Sequence, residues 1–131
     1  MTQQAQPTLR SVKVPGPDHP IEITTNPNRV VVTFGGRTIA STRRALTLRE
    51  STYPAVQYIP RQDVDMSLLD RASPTTYCPY KGECNYFNLA VNGEHADASV
   101  WTYEAPFAAV SQIKDHLAFY PDRVDAIDEI P

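Results

Sequence analysis

The sequence predicts a mainly β chain of curled antiparallel sheets with one or two short helices. Three observations carry that expectation. Twelve prolines in 131 residues leave little room for long helices. Short β-branched and aromatic runs recur between turn residues. Two dipeptides, Gly35-Gly36 and Asn92-Gly93, have the chemistry of two-residue hairpins.

In chain order, residues 1–18 are polar and proline-spaced and read as a flexible N-terminal tail, leaving 19–131 as a single β-rich domain. A chain this long buries roughly two-thirds of its unfolded surface, enough for a core without staples. In "RVVVTFGGRTIA" the Gly-Gly pair joins two strands; Val30, Val32 and Phe34 share a core face, and Val32 is expected opposite Ile39. "RALTLRE" alternates Leu46 and Leu48 against Thr47 and Arg49, a half-buried strand. "AVQYIPR" is a strand stopped by Pro60. "DVDMSLLDRAS" is the first helical candidate, with Asp63 as N-cap and Ser73-Pro74 as its end. Around Asn92-Gly93, Phe87, Leu89 and Val91 share one face and Tyr86, Asn88 and Ala90 the other. "APFAAVSQIKDHL" sets Phe107, Val110, Ile113 and Leu117 on the stripe of a short amphipathic helix. "LAFY" and "RVDAI" are short terminal strands, and the acidic "DAIDEIP" end is expected to fray.

Charge narrows the partners. The net charge is -3, with eight Arg/Lys and three Asp/Glu in residues 1–61 against four and twelve in 62–131. In an interleaved β fold this gives a complementary surface. Arginines at 37, 43, 44 and 49 could draw phosphates, but nucleic acid is not expected for an acidic chain. No stretch approaches the ~18 apolar residues of a membrane span. The start "MTQQAQPTLR" has no apolar segment of a signal peptide. A cytoplasmic location with reduced thiols is the default.

Three segments carry candidate chemistry. "TTYCPYKGECNYF" (75–87) holds both cysteines, Lys81 and four aromatic rings. Pro79 extends Cys78 and Gly82 permits a sharp reversal, so Cys78 and Lys81 share a turn. An ammonium near a thiol favours the thiolate, and Thr76 adds a hydroxyl. This makes a nucleophilic or carbonyl-binding site; the plainer alternative is a structural cysteine and a solvated lysine. Cys78 and Cys84 are spaced C-x5-C, outside the usual zinc spacing, and His95 and His116 do not complete a set. No metal or other cofactor is expected. "VWTYEAPF" (100–107) places Trp101 and Tyr103 beside Glu104, ring walls with a general base, or else a core tryptophan and a first-turn acid. "YIPRQDVD" (58–65) offers Arg61 as an anion clamp, or as a partner for Asp63 or Asp65.

These segments, with "HLAFYPDRVD", resemble in order and spacing the bacterial and fungal family known as domain of unknown function 427, also labelled nucleotidyltransferase-like. The resemblance covers about residues 20–128. It implies a compact fold similar to the β-tent of the Mss4-like proteins, many of which bind zinc through paired CxxC motifs that this chain lacks. It marks Arg61, Thr76, Cys78, Lys81, Gly82, Tyr86, Trp101, Tyr103, Glu104 and Pro106 as motif positions. Cys84 departs from the small residue expected there. The label implies paired carboxylates beside a glycine-rich phosphate grip; Asp63 and Asp65 have the spacing, without the Gly-Ser turn.

The expectation is therefore an uncharacterised small-molecule-binding β domain. Cys78, Lys81 and Glu104 would be its catalytic groups if it is an enzyme, with Arg61, Thr76, Tyr86, Trp101 and Tyr103 binding a ligand whose anionic group Arg61 would hold. The alternatives are a non-catalytic protein- or peptide-binding module and a nucleotidyltransferase. Exposed strand edges permit a homodimer.

Overall fold

The computed structural model describes residues 10–131. The first half of the expected tail, residues 1–9, lies outside the described residues. The fold is mainly β, with two antiparallel sheets that do not close into a barrel. Among the described residues ten strands are formed: β1 Ile21–Thr25, β2 Arg29–Phe34, β3 Arg37–Thr42, β4 Leu46–Glu50, β5 Val56–Pro60, β6 Leu69–Cys78, β7 Gly82–Val91, β8 Glu94–Thr102, β9 His116–Phe119 and β10 Ala126–Ile130. The larger sheet has the order β1-β4-β5-β9-β8-β7-β6; the smaller is β10-β2-β3. Among the described residues no helix is long and apolar enough to cross a membrane.

Period-two alternation divides the core between the two faces of the large sheet. Ile59, Phe87, Leu89, Val100, Leu117 and Phe119 pack with Val30, Val32 and Phe34 of the small sheet. Their strand neighbours, Tyr58, Trp101 and Ala118, join Leu48, Cys84 and Tyr103 in a second cluster. The second cluster is capped by Val110 and Ile113 of a 3-10 segment, Ala108–Ile113.

Both hairpins form. Asn92 and Gly93 take φ of 50° and 81°, as the primed turn requires. Gly35, at φ 61°, passes so close to β7 that an added Cβ would stand 3.0 Å from Val91. Val32 pairs with Ala40 rather than Ile39, because a bulge after Val32 inserts one residue and turns both Ile39 and Ala40 inward.

Two helical expectations are corrected. Residues 61–68 form only 3-10 turns, Arg61–Asp63 and Met66–Leu68, and Leu69–Cys78 is strand β6. The cap at the start belongs to Asp65, whose side chain accepts from Ser67 N, not to Asp63. Ser73-Pro74 does not end a helix; it sits where the β6–β7 register shifts, at the sheet edge where a missing N–H is tolerated. The 106–117 stripe is likewise not an α-helix: Val110 leaves helical geometry and Leu117 belongs to β9. The acidic end pairs along β2 from Ala126 to Ile130 rather than fraying.

Candidate functional site

The turn between β6 and β7 turns Lys81 inward. Gly82 takes φ 111°, a value that strains any residue with a Cβ. Lys81 N bonds Cys78 O at 3.2 Å, and Phe107 N bonds Lys81 O at 3.0 Å, so the turn is held against the 105–107 segment. Lys81 is consequently only 7% exposed. Its ammonium donates to Oε1 of Glu50, the last residue of β4. The second oxygen of Glu50 accepts from His19 Nε2 at 2.7 Å. Burial pushes the Glu50 carboxyl up, but the hydrogen bonds and positive charge of Lys81 and His19 push it further down, and the net shift is downward.

His19 is itself positioned by the segment that precedes β1. Its ring stacks on Tyr80, centroids 4.0 Å apart and planes 8° from parallel. The same segment is fastened by Lys13 N to Pro79 O at 2.9 Å, by the Tyr77 hydroxyl donating to Ser11 O at 2.6 Å, and by Arg10 to Glu83 at 3.2 Å.

Lys81 and Glu50 face a cavity of about 200 Å³ on the side of the large sheet away from the small one. Aromatic side chains form half of its lining: Tyr53, Tyr58, Tyr86, Trp101, Tyr103 and Tyr120. Trp101 Nε1 donates to the Tyr58 hydroxyl at 3.2 Å, fixing the two rings edge to face. The Tyr86 hydroxyl meets Thr76 Oγ1 at 2.8 Å. Lys81 Nζ stands 5.9 Å from the Tyr103 ring centroid. Cys84 lines the floor, 2% exposed. Burial pushes its thiol up, against hydrogen bonds from Tyr86, Tyr103 and Thr76 that favour the thiolate. Burial likewise raises the hydroxyls of Tyr58, Tyr86 and Tyr103. The wall is therefore uncharged apart from the Lys81–Glu50 pair.

Of the residues marked in the sequence, Lys81, Tyr86, Trp101 and Tyr103 line this cavity, and Thr76 supports it through Tyr86. Cys78 packs half-buried against the adjoining cluster. Arg61 and Glu104 stand elsewhere. They line a separate open groove of about 630 Å³ with Lys114, Asp115 and His116. Glu104 pairs with Arg71 at 2.7 Å and accepts from Asn85 at 3.0 Å. The Arg61 guanidinium lies 5.6 Å from the Phe87 ring centroid, while Asp63 and Asp65 are held by Arg44 and Arg37. Sequence reasoning missed Glu50, His19, Tyr58 and Cys84's place on the floor; a lone acid closing an alternating strand was the one available signal for Glu50.

A family model described as Domain of unknown function (DUF427), with a nucleotidyltransferase-type label, matches residues 22–129. No curated protein matches the chain.

Proposed function

The chain belongs to the domain of unknown function 427 family, and from that premise we propose that it is a small-molecule-binding β domain whose site is the cavity beside Lys81. One observation carries this reading: a lysine 7% exposed, its ammonium ion-paired, on the wall of an aromatic-lined cavity. Taking a lysine and a glutamate out of water costs several kcal/mol, roughly, and apolar residues would fill the space at less cost. A charged pair kept at a cavity wall is the arrangement expected where a ligand needs orienting.

The reading is one of binding. Glu50, already bonded by two potential cations, is a weak base, and the buried Cys84 thiol is a weak nucleophile. The nucleotidyltransferase label is left aside, because Glu50 is the single carboxylate on this wall and the Asp63/Asp65 pair is engaged by arginines.

Trp101 is the only tryptophan, so its indole N–H gives one resonance that reports on the cavity. Screening a mixed library of small aromatic and heterocyclic molecules should yield compounds that move this resonance saturably. Binding should weaken in the double variant Glu50→Gln/Lys81→Met, which removes both charges together. A library without such compounds, or one whose binders perturb only the Arg61–His116 groove, contradicts the reading.

A further inference from the structure

The polar groups on the cavity wall also indicate the class of ligand. We propose that the Lys81 cavity takes a neutral planar heterocycle presenting a lactam edge, a carbonyl oxygen beside a ring N–H, to the Lys81–Glu50 pair. The inference rests on the cavity being a ligand site and narrows what fills it.

Hydrogen-bond complementarity favours such an edge. An ammonium has three donors, and Lys81 gives one to Glu50. A carboxylate has about four lone-pair sites, of which Lys81 and His19 take one each. The wall thus presents a donor and an acceptor side by side. A lactam edge offers the matching acceptor and donor. An isolated carboxylate or ketone can answer only Lys81 and leaves Glu50 facing a second acceptor.

Charge gives the same answer. Lys81 and Glu50 compensate one another on the lining, where His19, bonded to the other Glu50 oxygen, does not appear, and burial keeps the Tyr58, Tyr86 and Tyr103 hydroxyls and the Cys84 thiol protonated. An anion beside the pair meets attraction and repulsion at similar range, and they largely offset. It would still lose its hydration on entry. A neutral ring has no such loss to make good.

The shape of the cavity agrees. Tyr58 and Trp101 are locked edge to face by their hydrogen bond, and Trp101 in turn lies 4.5 Å from Tyr120, centroid to centroid. Fixed ring faces favour a flat guest. A cavity of about 200 Å³ suits a single ring rather than a drug-sized molecule.

The test titrates three probes of one-ring size against the Trp101 indole resonance: uracil, 1,3-dimethyluracil and benzoate. Uracil has the lactam edge, dimethyluracil keeps the carbonyls but has no N–H, and benzoate is an anion with a flat ring. Uracil is expected to bind saturably. Dimethyluracil and benzoate should each bind roughly tenfold more weakly, since either leaves the Glu50 oxygen unmet. Uracil should lose a similar factor in Glu50→Gln/Lys81→Met, whose fold is checked by its remaining amide resonances. Dimethyluracil binding as well as uracil, or benzoate binding better, overturns the lactam assignment while leaving a ligand cavity in place. Silence from all three also overturns it, and the cavity reading is then judged by the wider library.

Discussion

Lys81 and Glu50, 31 residues apart in sequence, form an ion pair whose side chains are 9% and 15% exposed. Breaking a buried pair from one side strands the other charge. Lys81→Met is expected to lower unfolding free energy by about 3 kcal/mol, and Glu50→Gln/Lys81→Met to recover much of it. Urea denaturation of the single and double variants measures both.

Acid should weaken the fold through Glu50. Its carboxyl sits below its ordinary value of 4.5 in the folded chain, so the native state binds its proton less readily than the unfolded state does. That contribution is complete above 4.5 and is lost as pH falls from there through the lower folded value. Glu50→Gln should flatten the stability-against-pH curve in that window. A curve of unchanged slope would show that Glu50 is not so held.

The two cysteines should differ in reactivity. Cys84 is 2% exposed with its thiol pushed up by burial, whereas Cys78 is half-buried at the turn. Iodoacetamide under native conditions should label Cys78 first, by roughly tenfold or more, and reach Cys84 only on unfolding. Peptide mass mapping of the singly labelled protein decides it.

Gly82 should resist substitution. Its φ of 111° is strained for any other residue, and an added Cβ would stand 3.4 Å from Ala105 O. Gly82→Ala is expected to cost about 1–3 kcal/mol and to move the amide resonances of Lys81 and Phe107, whose backbones are bonded to each other.

The hairpins were legible because their turns carry their own chemistry: Gly35-Gly36 and Asn92-Gly93 adopt the left-handed backbone that few other pairs accept. Strand β6 was not. It is an edge strand, exposed at most positions, with Pro74 at a register shift, so its period-two pattern is lost and Leu68-Leu69 suggest a helix instead. Val110 and Ile113 keep a three-residue spacing that a 3-10 segment satisfies as well as an α-helix does.

The site was legible by half. Lys81, Tyr86, Trp101 and Tyr103 converge because strands β7 and β8 pair Tyr86 directly with Trp101. Glu104 points away from them to Arg71, and Arg61 lies on the other groove. Glu50 showed only as a lone acid closing an alternating strand and His19 left no local signal, since each owes its place to a partner brought near only by the sheet order and by the docking of residues 10–20 on the turn.

The most direct measurement is a crystal soak with single-ring heterocyclic fragments at saturating concentration. Fragment density is expected in the cavity beside Trp101 and Tyr103, with polar atoms within hydrogen-bond distance of Lys81 Nζ and Glu50. Fragments that gather along Arg61, Lys114 and His116 while this cavity stays empty would contradict it.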